Sequence, residues 1–201
     1  MFEYLGFIGV GVMGEPMCRN LVLNQPQSVM SYDMSSAPLE RLAADGVRAV
    51  KSPAEICAEA HTIFLSLPAG EQVREICLGE GGLLAHLVEG QCVVDCGTSP
   101  PELARELYAA FAARGVAFAD APVARTRQAA IDGTLSIMVG SDDAVFSRIQ
   151  PLLACMASDI THCGGPGAGQ TVKILNNMML FQNCAALAEA LAIARRSGLD
   201  E

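Results

Sequence analysis

Three residues near the end of the sequence have the types and the spacing of an acid–base site. Gly169, Lys173 and Asn177 are four residues apart in a segment with a helical pattern, so they share one helix face. Glycine on that face lets a ligand approach the backbone closely. Lysine can donate a proton, and asparagine offers both a donor and an acceptor. The set is suited to holding and protonating a small oxygenated substrate, and the alternative is an ordinary surface lysine.

A second motif, near the start of the chain, is typical of a phosphate cradle. Glycines at positions 9, 11 and 14 follow an apolar strand and open a helix, whose N-terminal amides favour an anion. The predicted cofactor-binding residues of this loop are Gly9, Val10, Gly11, Val12, Met13 and Gly14. Asp33 ends the next predicted strand, where a carboxylate can accept both ribose hydroxyls and repels a 2′-phosphate. The sequence therefore predicts NAD as cofactor, with NADP left open.

Three further loops follow predicted strands and carry polar or turn-forming residues. They begin at Ser66, Asp95 and Asp120. Ligands of an open parallel sheet bind outside the carboxyl ends of its strands. We therefore expect Leu67 and Pro68 to line the adenosine side and Thr98 to contact the nicotinamide, although each residue alone is as consistent with a turn or a cap.

The elements that must position these residues alternate between strand and helix. This alternation predicts an α/β fold, a doubly wound and mainly parallel sheet covered by helices on both faces. Ser99 is predicted to cap a helix over residues 101–114. After the glycine-rich turn at 164–169 the alternation stops, and a helix over 170–197 follows. We predict a dinucleotide-binding domain over 1–164 and the start of a helical domain over 165–201. The long helix is apolar on most of its circumference, which predicts a truncated form or burial against a second subunit.

Composition excludes several classes of partner. The chain has 201 residues and a formal charge of −9, with 13 scattered Lys and Arg, which argues against nucleic-acid binding. The eight cysteines lie mostly in apolar segments, and no two of them form a Cys-x-x-Cys motif. This pattern predicts reduced thiols and a cytoplasmic location. The three histidines are isolated, so no metal is expected. No signal peptide is recognised, and the uncharged stretch 174–188 is judged too short and too polar to span a bilayer.

These motifs together resemble the β-hydroxyacid dehydrogenase family, which includes 3-hydroxyisobutyrate dehydrogenase. The resemblance is carried by the glycine loop with Glu15-Pro16-Met17, by residues 95–100, by residues 120–123 with 133–140, and by residues 169–177. It implies an N-terminal Rossmann domain and an all-helical C-terminal domain. It also implies an NAD(H)-dependent exchange between a short β-hydroxyacid and its semialdehyde, with Lys173 as acid/base and Asn177 as substrate ligand.

The sequence departs from the family pattern at the substrate loop and in length. Ala124, Arg125 and Thr126 stand where the family usually has Ser-Gly-Gly, and the Arg-Thr pair resembles the 3-sulfolactaldehyde reductase branch. An arginine fork suits a carboxylate or sulfonate, and the alternative is a solvated loop arginine. Because family members continue for many more residues, a non-catalytic dinucleotide-binding fragment or interaction module stays as the alternative function. Either way, the resemblance implies a homodimer or higher homo-oligomer.

Overall fold

The computed structural model describes residues 4–199, which form one sheet flanked by helices. The strands in chain order are β1 Tyr4–Ile8, β2 Ser28–Tyr32, β3 Arg48–Ala49, β4 Ala60–Leu65, β5 Cys92–Asp95, β6 Ala117–Asp120, β7 Val123–Ala124, β8 Leu135–Gly140 and β9 Ala157–Gly164. The helices are α1 Gly14–Asn24, α2 Ser36–Ala43, α3 Pro53–Glu59, α4 Gly70–Leu78, α5 Leu83–His86, α6 Pro101–Ala112, α7 Arg127–Ile131, α8 Asp143–Leu153 and α9 Ala168–Arg196.

The sheet has the strand order of a dinucleotide-binding fold. Within the described residues the order is β3-β2-β1-β4-β5-β6-β8-β7, with β9 paired to β8. The first six strands run parallel, whereas β8 runs antiparallel to both β6 and β7. The order reverses between β1 and β4, and that switch point is where such sheets bind ligands. The predicted α/β, mainly parallel fold is confirmed.

Apolar side chains of the strands point alternately to the two sides of the sheet. Phe7 and Phe64 belong to one buried cluster, and their ring centroids are 6.0 Å apart. Ile8 and Leu65, the next residue along each strand, belong to the other cluster. Strands that are apolar on both faces require helices on both faces. The parallel half of the sheet is therefore held rigidly, with its carboxyl edge free to carry the loops of a site.

Several elements differ from their predictions for local reasons. Helices α5 and α7 were not predicted, because four or five residues are too few to show a period. Helix α4 was also missed, although Val73 and Cys77 form its buried i, i+4 pair. The prediction that Ser99 caps the helix at 101 is wrong: Pro100 is the N-cap residue, and the Ser99 hydroxyl instead donates to Asp95 Oδ2 over 3.0 Å.

Helix α9 projects from the carboxyl edge with little of the described chain packed on it. Its buried residues, Gly169 and Gln170, lie in the first turn. Among residues 4–199 it is the one helix whose length and mean hydropathy of 1.2 would suffice to cross a membrane, and none of that hydrophobic window is buried. A single helix of this kind is weak evidence for a membrane span, and its exposed apolar face equally suits contact with more protein.

Candidate active site

The glycine loop leaves open the space that a pyrophosphate needs. Gly9 has φ +87°, which glycine adopts without strain, and a Cβ there would lie closer than 3.0 Å to the Ser66 carbonyl oxygen. A Cβ on Gly14 would collide in the same way with the Gly9 carbonyl oxygen. A Cβ on Gly11, by contrast, would meet no atom of the described residues within 4 Å. The outer two glycines are thus required by the fold, and the middle one keeps the backbone accessible at the N-terminus of α1.

Asp33 lies beside this loop and helps to hold it. Its Oδ2 accepts a hydrogen bond from the Val10 amide at 2.7 Å, and its Oδ1 accepts one from the Ser35 amide at 2.8 Å. Each carboxylate oxygen keeps lone pairs for a further donor. Asp33 also lines a cavity of about 470 Å³ that adjoins Gly9 and Gly11. The lining of that cavity includes Leu67 and Pro68 and contains no Lys or Arg.

The loops after β4 and β5 touch at the carboxyl edge. A Cβ added to Gly97 would lie 3.1 Å from the Leu67 carbonyl oxygen. The Gly97 amide donates to Asp95 Oδ1 at 2.9 Å, and Ser99 holds the other carboxylate oxygen. Thr98, between these two fixed residues, is exposed. Its exposure at this edge leaves the predicted nicotinamide contact sterically open.

Two buried carboxylates end the neighbouring strands β5 and β6. Asp95 and Asp120 are cross-strand partners, and their exposures are 1% and 0%. Burial, reinforced by the charge of Asp120, raises the pKa of Asp95 to about 6. Burial likewise raises the pKa of Asp120, although backbone amides that donate to its carboxylate oppose the shift. Both carboxylates are buried and accept hydrogen bonds from neighbouring groups of the protein.

Asp120 fixes the start of the helix that carries Lys173. Its Oδ1 accepts from the Gly167 amide at 2.7 Å and its Oδ2 from the Gln170 amide at 2.8 Å. Unpaired amides at a helix N-terminus need such acceptors, and a carboxylate also complements the helix dipole. Gly169 packs so closely that a Cβ would come within 3.0 Å of the Met138 and Asp120 carbonyl oxygens. The first turn of α9 is thereby fixed against β6 and β8.

Lys173 and Asn177 lie on the face of α9 that continues from Gly169. Both are half-buried, whereas positions 174–176 and 178–180 are exposed. Burial lowers the pKa of Lys173. Within residues 4–199 its ammonium group has no hydrogen bond or ion pair, and the Asn177 Oδ1 has one long contact of 3.4 Å, from Asn176 Nδ2. These side chains therefore keep donors and acceptors for a ligand.

The predicted substrate loop lies beyond the end of β6. Ala124 pairs with Ser136, and Arg125 and Thr126 are exposed. Arg125 has φ +83°, a left-handed conformation that favours glycine. Its Nη1 donates to the Thr134 carbonyl oxygen at 2.6 Å and to Ser158 Oγ at 3.3 Å. The guanidinium thus bridges the starts of β8 and β9, and among residues 4–199 its Nη2 and Nε have no acceptor, so they remain for a ligand.

The structure adds three functional candidates that the motifs did not identify. In the sequence, Asp95 and Asp120 begin strand-end loops and belong to segments that carry the family resemblance, but neither residue has a predicted role of its own. The feature of the sequence that could have identified them is a carboxylate at the end of an otherwise apolar strand. Gln170 follows the last glycine of its turn, and nothing in the local sequence marks it as buried.

This order of strands, with an open glycine loop at the switch point and a carboxylate after β2, defines an NAD(P)-binding protein of the Rossmann type. Residues 4–165 match the family described as the NAD binding domain of 6-phosphogluconate dehydrogenase. Residues 167–201 match the family described as NAD-binding of NADP-dependent 3-hydroxyisobutyrate dehydrogenase.

Individual relatives agree with the family matches. The chain is 39% identical to 2-(hydroxymethyl)glutarate dehydrogenase of Eubacterium barkeri, over 97% of this chain and 64% of that protein. It is also 39% identical to 3-hydroxyisobutyrate dehydrogenase of Pseudomonas aeruginosa, over 98% of this chain and 65% of that protein. A solved structure of Mycobacterium tuberculosis 3-hydroxyisobutyrate dehydrogenase with L-serine aligns with a TM-score of 0.92 at 36% identity, covering 100% of this chain and 67% of that one. The chain belongs to the β-hydroxyacid dehydrogenase family, and it spans a little under two thirds of the length of the curated relatives just named.

Proposed function

We propose that this protein is an NAD(P)H-dependent oxidoreductase that interconverts a short β-hydroxyacid and its semialdehyde, with Lys173 as acid/base. The observation that carries the proposal is the setting of Lys173. It is half-buried, has no ionic partner among residues 4–199, and lies on a helix fixed to the carboxyl edge of a dinucleotide-binding sheet. The names of the relatives, all dehydrogenases of small hydroxy compounds, support the same chemistry.

The chain's own residues suit the cofactor. The glycine loop and the first turn of α1 would hold the pyrophosphate, Asp33 the adenosine ribose, and Leu67 with Pro68 one face of the adenine side. Thr98 would lie near the nicotinamide. When bound, the cofactor supplies or accepts the hydride. The absence of Lys and Arg from the lining of the adenosine-side cavity favours NAD over NADP.

Lys173 would move the proton that accompanies the hydride. A charged lysine can donate to the alkoxide oxygen that forms when an aldehyde is reduced. Oxidation of the alcohol needs a neutral lysine, and the burial that lowers the pKa of Lys173 makes that form more accessible. The partly buried position of Lys173 is therefore compatible with both reduction of the aldehyde and oxidation of the alcohol.

The substrate would be a small anion. Asn177 is one turn beyond Lys173 on the same face and can hydrogen-bond a substrate oxygen. The unpaired nitrogens of Arg125, with the Thr126 hydroxyl and the Ala124 backbone, would receive a carboxylate or a sulfonate. The Arg-Thr pair keeps 3-sulfolactaldehyde among the candidate substrates.

We test the proposal by following NADH oxidation with a panel of semialdehydes, including those of 3-hydroxyisobutyrate, tartronate and sulfolactate. Lys173→Met should abolish most turnover and leave NADH affinity nearly unchanged. The chain contains only one other lysine, Lys51, which is exposed in the loop between β3 and α3, so Lys51→Met is the matched control. Turnover that survives Lys173→Met would refute the assignment of Lys173.

The second candidate function is dinucleotide binding without catalysis. The observation that favours it is that the cavity beside the glycine loop and Asp33 is lined without any residue of α9. Tight NADH binding with no turnover of any panel member by the parent protein would select this function over the first.

We further propose that a second copy of the chain covers α9 and that the protein is cytoplasmic. Large apolar side chains are exposed along this helix, among them Leu175, Met179 and Phe181 at 50%, 61% and 69%. Five of the eight cysteines are buried and none is paired among the described residues, as expected for a reducing compartment. Light scattering that gives a monomer at high concentration would contradict the self-association.

A further inference from the structure

Gln170 joins two loops that the proposed function assigns to different ligands. Its Oε1 accepts a hydrogen bond from the Ser99 amide at 3.0 Å, and its Nε2 donates to the Gly97 carbonyl oxygen at 2.8 Å. These two bonds hold both sides of Thr98. Gln170 is also in the first turn of α9, three residues before Lys173, and its own amide donates to Asp120.

The carboxamide of Gln170 is suited to holding the Thr98 loop, and its replacement would leave buried polar groups unpaired. The residue is completely buried, with 0% exposure. A side-chain amide in such a place must satisfy both its donor and its acceptor, and it does so on one loop. Because the amide oxygen and the amide nitrogen of this buried group both have a partner, a displacement of the side chain would break at least one buried hydrogen bond.

Gln170 also completes a continuous line of contacts across the carboxyl edge. The glycine loop contacts Leu67, because a Cβ on Gly9 would lie 2.9 Å from Leu67 Cδ2. The Leu67 backbone adjoins Gly97 in turn. Gln170 links Gly97 to α9, so the line runs from the phosphate cradle to the helix that carries Lys173. The contacts lie in the loops that directly follow β1, β4 and β5 and in the first turn of α9.

We infer that Gln170 is a positioning residue that sets the Thr98 loop and Lys173 in register, so that the nicotinamide and the proton donor meet the same substrate. The inference rests on the proposed function for the role of Lys173. The geometric link itself does not, and it can be measured without turnover. A shift of about 1 Å in such a group is enough to lower a rate by about 100-fold.

The chain provides a matched control in Gln91. This residue is also completely buried, donates to the carbonyl oxygens of Cys57 and Ala60, and accepts from the Val88 amide. It lies at the start of β5, at the opposite edge of the sheet. Gln91→Met therefore removes three side-chain hydrogen bonds, one more than Gln170→Met, at the opposite edge of the sheet from Thr98.

The experiment compares Gln170→Met and Gln91→Met in the full chain. Lysine side chains labelled with ¹³C give two NMR signals, from Lys51 and Lys173, and their pH titrations report the two pKa values separately. In Gln170→Met we expect the pKa of Lys173 to rise towards its ordinary value, because α9 loses the contact that keeps the lysine partly buried. We expect NADH affinity to fall several-fold as well. Gln91→Met should lower only the melting temperature.

Two results would overturn the inference. One is an unchanged pKa of Lys173 together with unchanged NADH affinity in Gln170→Met. The other is an equal change of both quantities in Gln91→Met, which would assign the effect to general loss of stability. A parent protein with no turnover but with the expected shifts would refute the proposed function and leave the positioning role established. Where turnover is present, Gln170→Met should lower kcat by about 10- to 100-fold with a smaller change in KM.

Discussion

The glycines of the phosphate loop make separable predictions, because Gly9 and Gly14 lack a side chain for steric reasons and Gly11 does not. Replacing Gly11 by alanine adds a methyl group that meets no atom within 4 Å, so the fold loses nothing. Alanine restricts the unfolded chain, and the substitution should leave stability unchanged or raise it by about 0.4–1 kcal/mol. The same methyl group occupies the space through which a pyrophosphate reaches the backbone.

The loss of cofactor affinity can be estimated from one lost hydrogen bond between the loop backbone and the pyrophosphate. A hydrogen bond between a backbone amide and a charged group contributes about 1.5–3 kcal/mol. Since 1.4 kcal/mol corresponds to about tenfold in affinity, Gly11→Ala should raise the Kd for NADH by about 10- to 100-fold. Fluorescence titration with NADH measures the Kd, and a thermal melt of the same sample measures stability.

Two alanine variants calibrate this result. Gly14→Ala places its methyl group against the Gly9 carbonyl oxygen, a backbone atom that no rotamer change can move away. It should destabilise the protein by about 1–3 kcal/mol, which lowers the melting temperature by about 2–12 °C. Gly165→Ala also enters open space, but outside the loop, and should change neither quantity. If Gly11→Ala bound NADH as tightly as the parent protein, the cradle would not lie where we place it.

Three further predictions follow from single residues. Because the pKa of Asp95 is raised to about 6 in the folded state, the folded protein holds this proton more tightly than the unfolded chain. The resulting stabilisation, on the order of 3 kcal/mol, is complete below about pH 4 and is lost as the pH rises through about 6. Urea unfolding at several pH values should show this slope in the parent and a flatter one in Asp95→Asn. Asp33→Asn should shift the ratio of NADPH to NADH affinities towards NADPH by on the order of tenfold, since a repelling charge is removed beside the ribose; an unchanged ratio would mean that another group selects the cofactor. Phe64→Ala, which empties a fully buried stacked ring site, should lower the free energy of unfolding by about 3–5 kcal/mol in denaturant melts, and a loss under 1 kcal/mol would contradict the packing.

Local patterns were sufficient to predict the class of fold and the cofactor loop. The spacing of Gly9, Gly11 and Gly14, the carboxylate at Asp33 and the alternation of strands with helices are short-range features of the chain. Their meaning depends on backbone geometry that any Rossmann-type sheet shares. The shared face of Lys173 and Asn177 was likewise predictable, because helical periodicity fixes which residues lie together.

The fold, the glycine loop and the helix face that carries the ammonium group could thus be predicted from local patterns, whereas the contacts that join these parts are visible only in the folded chain. Gln170 reaches loop atoms 71 and 73 residues away, and Asp120 binds an amide 50 residues away. The left-handed backbone of Arg125 and its bond to Thr134 depend on β7 pairing with β8. Such contacts form because parallel strands bring distant loops to one edge of a sheet, and no period in the local sequence records which side chains meet there.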